Sequence, residues 1–269
     1  MSTFYRSVWI SDVHLCSKDA QVEMLHSFIS SIKCDYLYLV GDIIDVWALR
    51  KKWYWPAMYN ELVHKLLKRS RKGAKVIFIP GNHDERVRQF SKLIAGNIRI
   101  EKHFIHEMAD GRRFLLCHGD EFDVVSKYAA WLAFLGDRGY GILLDLNQFF
   151  NWLRSRLGFK YWSLSAYVKF RVKKAVNYIS DFEETVALHA QRAKLDGVIC
   201  GHIHHGEIRP VQGVTYANCG DWVESCTALV EHYDGRLELI HWPDRKHKSG
   251  DQETLTTVLP VQEPLVLTR

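Results

Sequence analysis

The chain of 269 residues has no run of about 18 consecutive apolar residues, which excludes an ordinary membrane-spanning helix. Its opening, Met1 to Arg6, lacks the charged-then-apolar layout of a secretory signal, so the expected location is cytoplasmic. None of the six cysteines (Cys16, Cys34, Cys117, Cys200, Cys219, Cys226) belongs to a Cys-x-x-Cys pair. Several lie inside apolar runs, so reduced core thiols are expected rather than a disulfide framework or a zinc knuckle. There is no internal repeat. Acidic residues are absent from Leu146 to Ser180, a stretch that carries Arg154, Arg156, Lys160, Lys169, Arg171, Lys173 and Lys174. The net charge of +5 is only mildly basic and fits an anionic substrate or surface without specifying one.

What is present is ample core material, 47% hydrophobic and 13% aromatic, arranged as short apolar runs. Ser7–Ile10, Tyr36–Val40 and Val76–Ile79 read as strands, separated by helical spacing over 20–32 and 57–72. This β-α-β-α-β order predicts a parallel sheet with right-handed crossovers. Arg112–Cys117 and Gly197–Cys200 read as further strands, the latter preceded by a helix from about Asp181 to Leu195. The stretches 214–217, 225–233 and 236–242 look like an antiparallel set, the last two joined at Asp234-Gly235, a two-residue hairpin signal.

Five of these strands end in residues that suit metals. The clusters are Asp12 with His14, Asp42, Asn82 with His83, His118, and His202 with His204. Ligands of open α/β sheets gather beyond the carboxyl ends of the strands, so five such ends can meet at one place. In Asp12-x-His14 and His202-x-His204 the two side chains point the same way if the backbone there is extended, which predicts a pincer at a strand end. A mixed His/Asp/Asn set points to manganese, iron or zinc rather than calcium. Taken singly, each residue has a plainer reading: Asp42 as a helix cap, Gly81-Asn82 as a turn. Five coincidences in order argue against the plain readings together. His26, His64, His103, His106, His189, His232, His241 and His247 belong to no such cluster and are read as ordinary.

Asp12-x-His14, Gly41-Asp42, Gly81-Asn82-His83-Asp84, His118-Gly119-Asp120 and Gly201-His202-x-His204 resemble the five signature blocks of the calcineurin-like metallophosphoesterases, over about residues 7–242. The resemblance implies an α/β two-sheet metallophosphoesterase sandwich with flanking helices and a binuclear metal centre. One ion would be held by Asp12, His14, Asp42 and His204, the other by Asp42, Asn82, His118 and His202, with Asp42 as the bridge. Manganese is the expected ion, with iron and zinc as alternatives. Such a centre turns a bridging water into hydroxide for in-line attack on phosphorus, so no protein nucleophile is required. His83 would be the general acid or charge stabiliser, and Asp84 would orient its ring.

Within that superfamily the length, the Ser11-Asp12-Val13-His14-Leu15 opening and the segment between His118 and His202 resemble the UDP-2,3-diacylglucosamine pyrophosphohydrolases of lipid A biosynthesis. Those enzymes carry arginine where this chain has His83, and Arg-Pro where it has His205-Gly206. The implied substrate is an anionic, lipid-linked nucleotide sugar met at the inner-membrane surface. The domain is expected over 1–242, with 124–180 as a helical lid insertion and 243–269 as a tail. The lid combines aromatic and aliphatic residues at helical spacing with the acid-free cationic stretch, which suits an amphiphilic phosphate ester. Asp120, Arg154, Arg156, Lys169 and Lys173 are the expected substrate contacts, and Leu49 to Trp55 an expected facing rim. A soluble nucleotide phosphodiesterase or pyrophosphatase with an unrelated substrate is the alternative enzyme. A non-catalytic scaffold is disfavoured by the full ligand set, and no nucleic-acid partner is expected, because the basic residues sit among large apolar ones.

Overall fold

In the computed structural model the described residues are 2–122 and 181–244. The segment 124–180, with Arg154, Arg156, Lys169 and Lys173, and the tail from 245 onward lie outside them. The first sheet contains β1 (Thr3–Ile10), β2 (Ile32–Val40), β3 (Lys75–Ile79), β4 (Ile94–Ala95), β5 (Ile98–Ile100), β11 (Thr227–Glu231) and β12 (Leu237–His241), in the order β12-β11-β1-β2-β3-β5-β4. β1, β2, β3 and β5 run parallel, and β11, β12 and β4 are antiparallel to their neighbours. The second sheet has the order β6-β7-β8-β10-β9, from β6 (Phe104–Glu107), β7 (Arg113–Leu116), β8 (Gly197–Cys200), β9 (Glu207–Val211) and β10 (Val214–Asn218). Here β7, β8 and β10 are parallel, with an antiparallel strand on each edge.

The period-2 alternation of a strand explains the layering. From β1, Trp9 turns inward to the space between the sheets, where it packs with Tyr38, Ile77, Phe114, Ile199 and Leu229. Its neighbours Val8 and Ile10 turn outward to meet Phe28 and Ile29 of α1 (Val22–Ser31) and Leu62 and Leu66 of α3 (Ala57–Arg71). The helix over 181–192 covers the far face of the second sheet through Phe182, Val186 and Ala190. The result is a helix-sheet-sheet-helix sandwich, the two-sheet architecture that the resemblance implies. Runs such as Tyr36–Val40 are apolar throughout because both faces of their sheet are covered.

Two expectations change. The segments read as one antiparallel set divide between the sheets: β10 pairs parallel to β8 in the second, while β11 and β12 complete the first. Apolar alternation specifies a buried face but not which sheet supplies it. The β11–β12 hairpin also closes over three residues, Tyr233 to Gly235, since the His232 N–H donates to the Arg236 carbonyl at 3.0 Å. Gly235 takes the left-handed position there, at φ 84°. All six cysteines are free thiols, five of them buried, and no helix among the described residues is long and apolar enough to cross a membrane.

Candidate metal centre

The loops leaving β1, β2, β3, β7 and β8 all emerge at one end of the sandwich. They bring the seven candidate ligands together. In the set Asp12, His14 and His204, and again in the set Asp42, His118 and His202, one donor atom from each side chain lies within 4.8 Å of the others. Asp42 Oδ2 links the sets, 3.3 Å from His118 Nε2 and 3.9 Å from His14 Nε2. Asn82 Oδ1 is 3.3 Å from His118 Nε2.

Backbone groups aim these side chains. Asp42 Oδ1 accepts the His83 N–H at 2.8 Å, and Asp12 Oδ2 accepts the His202 N–H at 3.0 Å. Each carboxylate is thereby fixed by one oxygen and offers the other to the histidines. His118 Nδ1 lies 3.0 Å from the Val40 carbonyl, which makes Nδ1 the protonated nitrogen and leaves Nε2 facing Asp42. The loops come close enough only because Gly81 and Gly201 carry no side chain: a Cβ would meet Asp42 Oδ1 at 2.2 Å or Asp12 Oδ2 at 2.4 Å.

The backbone is not the extended one expected of the two pincers. Asp12, His14, Asp42, His202 and His204 all adopt positive φ, between 50° and 73°. The left-handed region costs about 1 kcal/mol or more for each non-glycine residue. Five such residues at one sheet end represent strain on the order of 5 kcal/mol held by the surrounding fold.

The donors fit divalent cations. Asp12 Oδ1 is wholly buried, lies 3.3 Å from His204 Nε2 and makes no well-formed hydrogen bond. His14 Nε2 and His204 Nε2 face each other at 3.4 Å. Burial by itself would raise both carboxyl pKa values, yet contact with His204 and the charge of His118 hold Asp12 low, and His118 does the same for Asp42. Burial would lower the histidines in turn, but Asp42 pushes His118 up to about 10, and Asp12 pushes His204 up. A pocket whose field favours protonated imidazoles draws positive charge, and divalent ions meet the same demand.

His83 lies beside this group, with Nε2 4.0 Å from Asp42 Oδ2. Its carboxylate partner is Asp45 and not Asp84. Asp45 Oδ1 is 3.1 Å from His83 Nδ1, and Asp45 Oδ2 is 3.8 Å from His14 Nδ1. Asp84 instead accepts the backbone N–H groups of Gly81 (2.6 Å), Ile43 (2.8 Å) and Ile44 (3.3 Å), which ties the β2 and β3 loops together. The neighbouring position in sequence had suggested Asp84, but its side chain turns into the protein. Asp45 also accepts the Ala48 N–H at 2.7 Å and so caps α2 (Val46–Lys51). Trp47, on that helix, lies against His83 with ring centroids 4.1 Å apart. Sequence reading missed Asp45. Its spacing three residues beyond Asp42 was the available signal, and it reads equally well as a cap. Asp120, an expected substrate contact, is paired with Arg88 at 2.6 Å, and Arg88 also donates to the Pro80 carbonyl.

A model of the family described as calcineurin-like phosphoesterase matches residues 5–206. No curated protein matches the chain. Among solved structures, an archaeal phosphodiesterase is 13% identical at a TM-score of 0.42, over 87% of this chain and 98% of its own. A conserved uncharacterized protein from Streptococcus pneumoniae, described as a predicted phosphoesterase, is 12% identical at a TM-score of 0.36, over 88% and 97%. Wild-type Vps29 from Entamoeba histolytica, complexed with zinc, is 11% identical at 0.36, over 87% and 96%.

Proposed function

Because the chain belongs to the calcineurin-like phosphoesterase family and is a metal-dependent phosphoester hydrolase, we propose that its centre is binuclear, with Asp42 as the shared carboxylate. Asp12, His14 and His204 complete one site, and Asn82, His118 and His202 the other. The observation that carries this reading is the position of Asp42 Oδ2 between His118 and His14. Two divalent ions held there, manganese on this reading, would supply charge neutralisation at phosphate and a water of lowered pKa.

His83 is the general acid of the proposal. With Nδ1 set 3.1 Å from Asp45 Oδ1, Nε2–H is left to face the substrate and to protonate the leaving oxygen. Burial lowers the His83 pKa, but contact with Asp45 and the charge of Asp42 outweigh it and raise it, which favours the protonated ring. Asp45 and the Trp47 ring hold the imidazole in place, and Arg88 keeps the Pro80–Asp84 loop fastened to Asp120.

The substrate we propose is the diphosphate of a UDP-linked acylated sugar, met at the inner-membrane surface by a cytoplasmic enzyme. The acid-free cationic and aromatic stretch within 124–180 supports it, as lid of a domain spanning 1–242. His83, where the lipid A enzymes carry arginine, favours a second reading, a soluble nucleotide phosphodiesterase. The two part on detergent or lipid dependence: equal turnover of short water-soluble substrates favours the second. For the acid, His83→Ala is expected to lower kcat by about 10²- to 10⁴-fold with metal content intact. Loss of both ions in that variant would refute the role.

A further inference from the structure

The face of α3 turned away from the core carries Lys65, Lys68, Arg69 and Lys72, at spacings of three, four and seven residues that place them on one side. With Ser30 from the end of α1 and Lys33 from the start of β2, they line a concavity of about 260 Å3. No ion pair joins any of these five cations to an acid among the described residues. Like charges at such spacing destabilise a helix by a few tenths of a kcal/mol per pair. The helix dipole compensates Lys68, Arg69 and Lys72 near the C-terminus of α3, but it does not reach Lys65, and Lys33 belongs to another element.

Two of the cations are built in. Arg69, which lines the concavity, is fixed by the Ile29 and Ile32 carbonyls, and Lys65 donates to Ser30 Oγ. Partial burial, then the charges of Arg69 and Lys68, lower the Lys65 pKa against the opposing pull of Glu61. Ammonium groups so crowded gain from a multivalent anion that neutralises several of them together.

The concavity is at the opposite end of β2 from Asp42, on the order of 25 Å away at about 3.3 Å per strand residue. It is therefore separate from the metal centre. We propose that the Lys33–Lys65–Lys68–Arg69–Lys72 concavity is a second anion site, one that takes a phosphate group. Its volume lies just under the range of about 300–1,000 Å3 typical of drug-sized ligands, which suits a free diphosphate or a single headgroup phosphate rather than a whole nucleotide.

Calorimetric titration of the full chain with methylenediphosphonate tests the soluble source, and co-sedimentation with phosphatidylcholine vesicles, with and without phosphatidylglycerol, tests the lipid source. In Lys65→Gln/Lys68→Gln, binding in one of the two assays is expected to weaken at least tenfold, with hydrolytic activity and thermal midpoint unchanged. The control Arg192→Gln/Lys194→Gln removes the same charge from an exposed surface elsewhere and is expected to bind as the parent does. Loss in the diphosphonate assay identifies a free phosphate ligand, and loss confined to anionic vesicles identifies a headgroup. Equal binding by parent and pocket variant in both assays, or equal loss in the control, overturns the proposal.

Discussion

Two clusters of histidine and carboxylate are buried among the described residues, and they differ in how their polar atoms are matched. At the strand ends, Asp12 Oδ1 lacks a hydrogen-bond partner, ring nitrogens face one another, and five residues hold left-handed backbone. Between the sheets, Glu231 accepts from Arg6 (2.7 and 2.8 Å), from Ser7 Oγ (2.5 Å) and from the Ala109 N–H (2.7 Å). His106 Nε2 lies 3.0 Å from Glu231, and its Nδ1 lies 2.7 Å from the Tyr38 hydroxyl. No residue of this second cluster has positive φ, and none of its buried side-chain polar atoms lacks a partner. The inter-sheet cluster is closed and joins β6 of one sheet to β1, β2 and β11 of the other. The strand-end cluster is open and strained, and its donor atoms gather in two sets linked at Asp42. Burial and residue type alone do not separate a ligand site from a structural clasp. Satisfaction of the polar atoms does.

The contrast breaks most sharply at Asp42. Asp42→Ala is expected to reduce activity more than a thousandfold, about 4 kcal/mol of transition-state stabilisation, and to lower bound metal. Its thermal midpoint in chelator is expected to stay level or rise, because a desolvated carboxylate is removed. The opposite pattern is expected at Glu231. Glu231→Gln leaves the Arg6 guanidinium without its carboxylate and is expected to cost about 3–5 kcal/mol in urea unfolding, with metal per folded chain unchanged.

Acid sharpens the same comparison. Burial works to raise the Glu231 pKa, but His106, Ser7, Ala109 and Arg6 together hold it down to about 2. Because the folded pKa is the depressed one, this stabilisation is fully present above the unfolded carboxyl value of about 4.3, and it is lost as pH falls toward 2. Over that window it amounts to about 3 kcal/mol. Urea midpoints of the parent should therefore fall more steeply between pH 4.3 and 2 than those of Glu231→Gln, and parallel curves would contradict the assignment. The smallest effect is expected at Asp45, which touches the centre only through His14 and His83. Asp45→Asn should reduce activity about 10- to 100-fold and broaden the acid limb of the pH profile, with the fold unchanged.

Much of this was legible in the residues. Apolar strands ending in Asp12, Asp42, Asn82, His118 and His202 announced both the parallel order and the sheet end at which those side chains converge. What was not legible depended on side-chain direction and on contacts distant in sequence. Asp84 follows His83 directly but turns inward to three backbone N–H groups, and Asp45, which faces His83, reads in sequence as the helix cap that it also is. His106 belonged to no strand-end cluster and was read as ordinary, although it is the centre of the inter-sheet clasp. Its partners lie about a hundred residues away in either direction, a separation that no local pattern encodes.

Metal stoichiometry tests the central claim most directly. The chain is dialysed to equilibrium against excess manganese, passed through a desalting column and assayed for bound ion by mass spectrometry. Two ions per chain are expected in the parent and in Glu231→Gln, with fewer in Asp42→Ala. One ion or none in the parent, or a loss in Glu231→Gln that matches the loss in Asp42→Ala, would contradict a binuclear centre set apart from the inter-sheet clasp.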